Sequence, residues 1–100
     1  MPENPLAPML KLDPVFMKHV QSTTELIYAE GAVPKKYKLL IAMAFDAAHG
    51  ADAGVRHLAS EAMAAGATKQ EIAEVLRVAF ELTGVGTLYV AARGLKDLVG

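Results

Sequence analysis

Residues 39–45 read Leu-Leu-Ile-Ala-Met-Ala-Phe, an apolar run with no polar position for almost two helical turns. Pro34 before the run and Gly50 after it predict a helix from 34 to about 49, because proline suits a helix start and glycine a helix end. A helix that is apolar on every face must be buried on every face. A chain of 100 residues can hardly surround one helix, because small domains leave much of their surface exposed. We therefore expect a second copy of the chain to cover part of this helix.

Amphipathic helices are predicted on both sides of the apolar run. Asp13-Pro14 begins a helix that we expect to end near Glu30-Gly31, since aspartate caps a helix start and glycine accepts the left-handed conformation at a helix end. Further helices are predicted over 52–65, from a Thr68–Glu71 capping box to Thr83, and from about Thr87 onward. No segment alternates as a strand would. The fold class is therefore all-α, a compact domain of about five helices.

The proline-rich start of the chain differs from the rest. Residues 1–12 contain three prolines and no helical periodicity, so they are predicted to form an N-terminal arm or an extended lead-in. Residues 13–100 are predicted to form one helical domain. The arm does not resemble a signal peptide, since no basic region precedes an apolar core. The longest apolar run is also far shorter than the roughly 20 residues that span a bilayer. We expect a cytoplasmic protein that does not bind membranes.

Charge and cysteine content exclude several functions. The net charge of −1 and the short cluster Lys35, Lys36 and Lys38 give no phosphate-binding stripe, so no nucleic-acid partner is expected. The chain has no cysteine. Disulfides, thiolate metal sites and thiol nucleophiles are therefore excluded for this chain.

Several stretches at fixed spacing resemble one family. They are Lys38–Ala44 (KLLIAMA), Ala48-His49-Gly50, Glu61–Leu76 (EAMAAGATKQEIAEVL) and the turn at Gly84. Together they resemble the carboxymuconolactone decarboxylase and AhpD-like alkylhydroperoxidase family. The resemblance implies that residues 13–100 form the helical domain of this family and assemble as a homo-oligomer, a trimer or a hexamer. Transfer from the family also implies peroxidase activity of the peroxiredoxin type.

The catalytic positions that the resemblance implies carry no catalytic side chains here. The peroxidase branch uses a glutamate, a Cys-x-x-Cys pair and a histidine. Counted back from the helix end at Gly66, these positions fall on the non-catalytic residues Leu39, Ala51, Gly54 and Leu58. The chain is thus predicted to be a divergent member without the thiol site. Decarboxylase activity is not supported either, because polar acid–base groups are missing at the same places.

Asp46 is the one acid within the apolar helix, and it lies two turns after Leu39 on the same face. His49 follows it by one turn, and His57 is on the next helix. In a structural interpretation, Asp46 pairs with Arg56, with a lysine or with a backbone N–H, since an unpartnered acid in an apolar place is costly. In a functional interpretation, Asp46, His49 and His57 are candidate catalytic residues or ligand-binding groups, with a two-histidine metal site as a minor variant. Both interpretations remain open.

The leading hypothesis is a family member that binds or acts on a small, largely apolar ligand near Asp46 and His49. The alternative is a non-catalytic oligomeric assembly or partner-binding protein that kept the fold. No cofactor and no metal is expected, and neither a reaction nor a substrate follows from the sequence. An open cavity at Asp46 would favour the first hypothesis. A cleft filled by Leu39 and Leu58, with Asp46 in a salt bridge, would favour the second.

Overall fold

Six α-helices make up the fold in the computed structural model, which describes residues 4–100. They are α1 (Ala7–Leu12), α2 (Pro14–Ile27), α3 (Lys35–Ala48), α4 (Asp52–Ala64), α5 (Lys69–Thr83) and α6 (Gly86–Leu95). No strand occurs between residues 4 and 100. The all-α class is confirmed, with one short helix more than expected. No helix in this range is long and apolar enough to cross a membrane.

Three of the predicted helix ends are confirmed in atomic detail. The Asp13 side chain accepts a hydrogen bond from the Phe16 N–H at 3.1 Å and caps α2. At the start of α5, the Thr68 hydroxyl accepts from the Glu71 N–H at 3.0 Å, and the Glu71 carboxylate accepts from the Thr68 N–H at 2.9 Å. This reciprocal pair is the predicted capping box. Gly66 ends the preceding helix with φ of 103°, a conformation that only glycine adopts easily.

The end of α2 was predicted three residues too late. The helix ends at Ile27, with Tyr28 as its C-cap, and Gly31 does not take the left-handed conformation. The chain leaves the helix because the connection to α3 is held by longer-range contacts. The Lys38 ammonium donates to the Ala29 carbonyl at 2.8 Å, and the Glu30 carboxylate accepts from the Lys35 N–H at 3.2 Å.

The arm predicted over residues 1–12 is helical in its described second half. Residues 7–12 form α1 rather than an extended lead-in. Pro8 lies in the first turn of this helix, where its missing N–H interrupts no hydrogen bond. α1 packs on α2, so the two helices form a hairpin at the side of the domain. Residues 1–3 lie outside the described part of the chain.

The core is formed by α3, α4, α5 and α6, with α3 at its centre. Its most deeply buried large side chains are Leu40, Met43, Val55 and Ile72. The face of α3 opposite the core is not covered within one chain, since Ile41 is 51% exposed and Phe45 is 62% exposed. Complete burial of this helix is therefore not reached by the single chain.

The α1–α2 hairpin is only loosely joined to this core. The backbone contacts of α2 are made chiefly with α1. Its connections to the core are side chains: Met17 is buried, and Tyr28 packs against the core cluster. This arrangement leaves a space between the hairpin and the helices α3 and α4.

Candidate functional site

A cleft of about 980 Å³ lies between the α1–α2 hairpin and the facing surfaces of α3 and α4. This volume is at the upper end of the range of about 300–1,000 Å³ that is typical of small-molecule sites. The apolar part of the wall is formed by Leu10, Met17, Val20, Leu39 and Leu58. Several residues on the hairpin side are exposed, so the cleft is accessible from solvent.

All four positions that the family resemblance predicts to be catalytic, as counted from Gly66, line this one cleft. They are Leu39, Ala51, Gly54 and Leu58. Leu39 is buried and the other three are half-buried. The two leucines form part of the wall and leave the cleft open. The chain therefore keeps a cavity at these positions although their side chains are apolar or absent.

Asp46 reaches into the cleft at a gap left by Gly54. A methyl group built on Gly54 would lie 2.9 Å from Cγ of Asp46 and closer still to its Oδ2. Because such a contact is impossible for real atoms, the carboxylate occupies space that any other residue at position 54 would fill. Burial raises the pKa of Asp46 above its usual value, and the nearby His49 partly opposes this rise.

The salt-bridge partners expected for Asp46 are engaged elsewhere. Arg56 donates to the Lys96 carbonyl, and Lys36 pairs with Glu71 at 3.1 Å. Among residues 4–100, no side-chain hydrogen bond or salt bridge is formed by the Asp46 carboxylate. The structural interpretation therefore finds no partner within the described chain.

The structure places the two candidate histidines differently. Nδ1 of His49 lies 2.7 Å from the Phe45 carbonyl, and the ring stacks on Phe45 with 6.4 Å between centroids. His49 does not line the cleft, although it lies near enough to Asp46 to lower the pKa of that acid against the effect of burial. His57 does line the cleft, with Nε2 lying 3.9 Å from Oε1 of Glu61. Within the described residues, no group of three potential metal ligands is close enough to hold an ion.

Tyr28 is a cleft residue that the sequence analysis missed. It caps the end of α2, packs against the core and lines the cleft together with Asp46. Burial, and then the negative charge of Asp46, raise the pKa of the Tyr28 hydroxyl. The hydroxyl therefore stays protonated at neutral pH and remains a hydrogen-bond donor. No local sequence signal marks Tyr28, because its place in the site depends on how α2 docks.

The remaining polar groups lie around the cleft, and acids predominate among them. The charged or titratable lining residues besides Tyr28 and Asp46 are Glu25, Glu30, Lys35, His57 and Glu61. No thiol is among the described residues that line the cleft. The arrangement offers an apolar surface with the half-buried Asp46 carboxylate as an acceptor and the Tyr28 hydroxyl as a donor, which suits binding or proton transfer.

Comparison with known proteins gives one match. The sequence model described as the carboxymuconolactone decarboxylase family matches residues 14–97, which include α2 and all four core helices. No curated protein and no solved structure matches the chain.

Proposed function

Since this chain belongs to the carboxymuconolactone decarboxylase family, we propose that its cleft binds a small, largely apolar ligand without the family's thiol chemistry. The observation that carries this proposal is the open cleft, of about 980 Å³, at the family's catalytic positions. The cleft combines apolar walls with a few polar groups, as small-molecule sites typically do.

The state of Asp46 supports the same proposal. A half-buried carboxylate without a partner costs free energy of folding, whereas an asparagine or a leucine would not carry this charge. Perturbed acids in clefts are often functional. A ligand that interacts with Asp46 would explain why a charged group is kept there.

A neutral fluorescent probe tests the proposal directly. N-phenyl-1-naphthylamine is suitable, because acids predominate around the cleft and would repel an anionic dye. Ala53 lines the cleft and is exposed, so Ala53→Trp should fill the space without disturbing the core. Ala64 is an exposed residue at the other end of the same helix and does not line the cleft. Ala64→Trp is therefore the matched control.

We expect the native chain and the Ala64→Trp variant to bind the probe with the same dissociation constant. Ala53→Trp should weaken binding by about tenfold or more, since a tryptophan would occupy much of the apolar wall. Equal binding by all three proteins would contradict the proposal, because the probe would then be bound outside the cleft.

We further propose that the chain forms a homo-oligomer, a trimer or a hexamer, as in its family. The uncovered apolar face of α3, with Ile41 and Phe45, supports this assembly. Light scattering after gel filtration should give a multiple of the 10.6 kDa chain mass. Phe45→Glu should lower that mass while circular dichroism stays helical, and a native chain that remains monomeric at micromolar concentration would contradict the assembly.

An assembly or partner-binding protein without a ligand is the alternative function. The same exposed α3 face favours it. The two functions differ in the probe experiment, since an assembly protein requires no binding in the cleft.

A further inference from the structure

We propose that Tyr28 and Asp46 form a donor–acceptor pair that binds the hydroxyl group of a phenol or enol, with the apolar body of this ligand against the cleft wall. This inference rests on the proposed function and names the chemical class of its ligand. The two residues come from different helices and line one cleft. Neither the Tyr28 hydroxyl nor the Asp46 carboxylate forms a hydrogen bond with another residue within 4–100, and neither is fully buried, so a ligand in the cleft can reach both.

The hydrogen-bonding capacities of the two side chains match one ligand group. An ionised carboxylate only accepts hydrogen bonds, and a protonated tyrosine hydroxyl donates one. A phenolic or enolic hydroxyl does both, since its O–H can donate to Asp46 while its oxygen accepts from Tyr28. A simple carbonyl would satisfy only Tyr28 and leave the carboxylate unpaired.

The rest of the cleft suits the body of such a ligand. Leu39 and Leu58 lie on the core side of the cleft, and Met17 and Val20 lie on the hairpin side. Apolar side chains on both sides favour a flat ring between them, and methionine sulfur also makes favourable contacts with aromatic rings.

The charges around the cleft argue for a neutral ligand rather than an anion. Facing Asp46 across the cleft are Glu25, Glu30 and Tyr28 from the hairpin and its connection to α3. Lys35 comes from the start of α3, and His57 and Glu61 come from α4. His49 is on the same helix as Asp46. Because three carboxylates share the cleft with Asp46, a ligand carboxylate or phenolate would be repelled.

4-Nitrophenol is a probe of this pair, since its phenol and phenolate forms absorb at different wavelengths. A hydroxyl bound to the Asp46 carboxylate should keep its proton, because the negative charge disfavours the phenolate. Adding the native protein near the pKa of the probe should therefore lower the phenolate absorbance. Nitrobenzene, which lacks only the hydroxyl, should bind at least tenfold more weakly.

Three variants separate the roles of the residues. Asp46→Asn should weaken 4-nitrophenol binding by about tenfold or more and abolish the loss of phenolate absorbance. Tyr28→Phe should weaken binding but keep that loss, because the carboxylate remains. Gly54→Ala, which displaces the carboxylate without removing it, should act like Asp46→Asn. Binding of nitrobenzene should be the same in the native chain and in Asp46→Asn.

The outcomes distinguish this inference from the function on which it rests. If N-phenyl-1-naphthylamine binds in the cleft but 4-nitrophenol and nitrobenzene bind equally with no absorbance change, the donor–acceptor pair is refuted alone. Tighter binding of 4-nitrobenzylamine than of 4-nitrophenol would also refute it, since the cleft would then prefer a cation. If none of the probes binds in the cleft, the proposed function is refuted as well.

Discussion

Replacing Gly54 by alanine should leave the stability of the protein nearly unchanged, although the added methyl group has no room in the present arrangement. Alanine is favoured over glycine within a helix by about 1 kcal/mol. The three atoms nearest to the methyl group would all belong to the Asp46 side chain, and the two that clash are those of its carboxylate end. Holding this side chain about 30° away from its rotamer would cost about 0.5–1.5 kcal/mol, and part of that cost is recovered because the carboxylate becomes better hydrated. The two effects nearly cancel, so the free energy of unfolding should change by no more than about 1 kcal/mol.

The matched control is Gly94 on α6, where the surroundings cannot move. A methyl group built on Gly94 would lie 2.7 Å from the Asp52 carbonyl oxygen and 2.7 Å from both Cβ and Cγ1 of Val55. Val55 is fully buried and the carbonyl belongs to the α4 backbone. Overpacking of this kind costs about 1–3 kcal/mol or more, and the preference of alanine for helix offsets little of it in the last turn. Gly94→Ala should therefore lower the free energy of unfolding, in contrast to Gly54→Ala.

Urea denaturation followed by circular dichroism at pH 7 measures both changes. All proteins should be compared at one concentration, because dissociation of an oligomer contributes to apparent stability. If Gly54→Ala loses as much stability as Gly94→Ala, the Asp46 carboxylate is fixed in place. The reasoning that it is an unpartnered group facing an open cleft would then be refuted.

Three more predictions follow from the helix cap, the acid and the missing thiols. Thr68→Ala removes half of the capping box and should lower the unfolding free energy by about 1 kcal/mol in urea titrations, with Gln70→Ala as a control outside the box. The raised pKa of Asp46 means that the folded state binds the proton of this acid more tightly than the unfolded state does. The contribution of Asp46 to the free energy of unfolding is therefore most favourable at low pH and is lost as the pH rises through the raised pKa. Asp46→Asn should therefore gain stability relative to the native chain between about pH 3 and pH 7 in the same titrations, and a constant difference would contradict the shift. Because the chain has no cysteine, consumption of an alkyl hydroperoxide with dithiothreitol should not exceed that of buffer, and sustained turnover would show that another group performs the reaction.

The parts of the fold that were predictable are those set by neighbouring residues. Gly66 and the capping box of Thr68 and Glu71 depend on contacts within a few positions, and all were predicted correctly. The end of α2 was not, because Lys38 holds the following connection from the next helix. The short helix α1 was missed because its one proline, Pro8, lies early enough in the helix to be tolerated, which composition alone does not reveal.

The candidate site was also predictable only where neighbouring residues in the sequence give a signal. Asp46 was found because an acid within an apolar helix is conspicuous in the sequence. Helical spacing also suggested His49, but its ring turns back to the Phe45 carbonyl and stacks on Phe45, so it does not line the cleft. Tyr28 and Gly54 contribute only through the docking of separate helices. A glycine within a helix normally indicates only lower helix stability. That Gly54 leaves space for the Asp46 carboxylate becomes visible only when the packing of the two helices is known.

The gap at Gly54 also bears on the thiol chemistry that the family resemblance implies. In the register counted from Gly66, the family resemblance predicts that position 54 corresponds to the second cysteine of the thiol-bearing branch. The volume of a side chain there is now taken by the carboxylate of Asp46. A cysteine restored at 54 would be crowded by that acid, whose charge would raise the pKa of the thiol and weaken it as a nucleophile. Thiol chemistry at this position would therefore require the Asp46 carboxylate to turn away or to be replaced, in addition to the two cysteines.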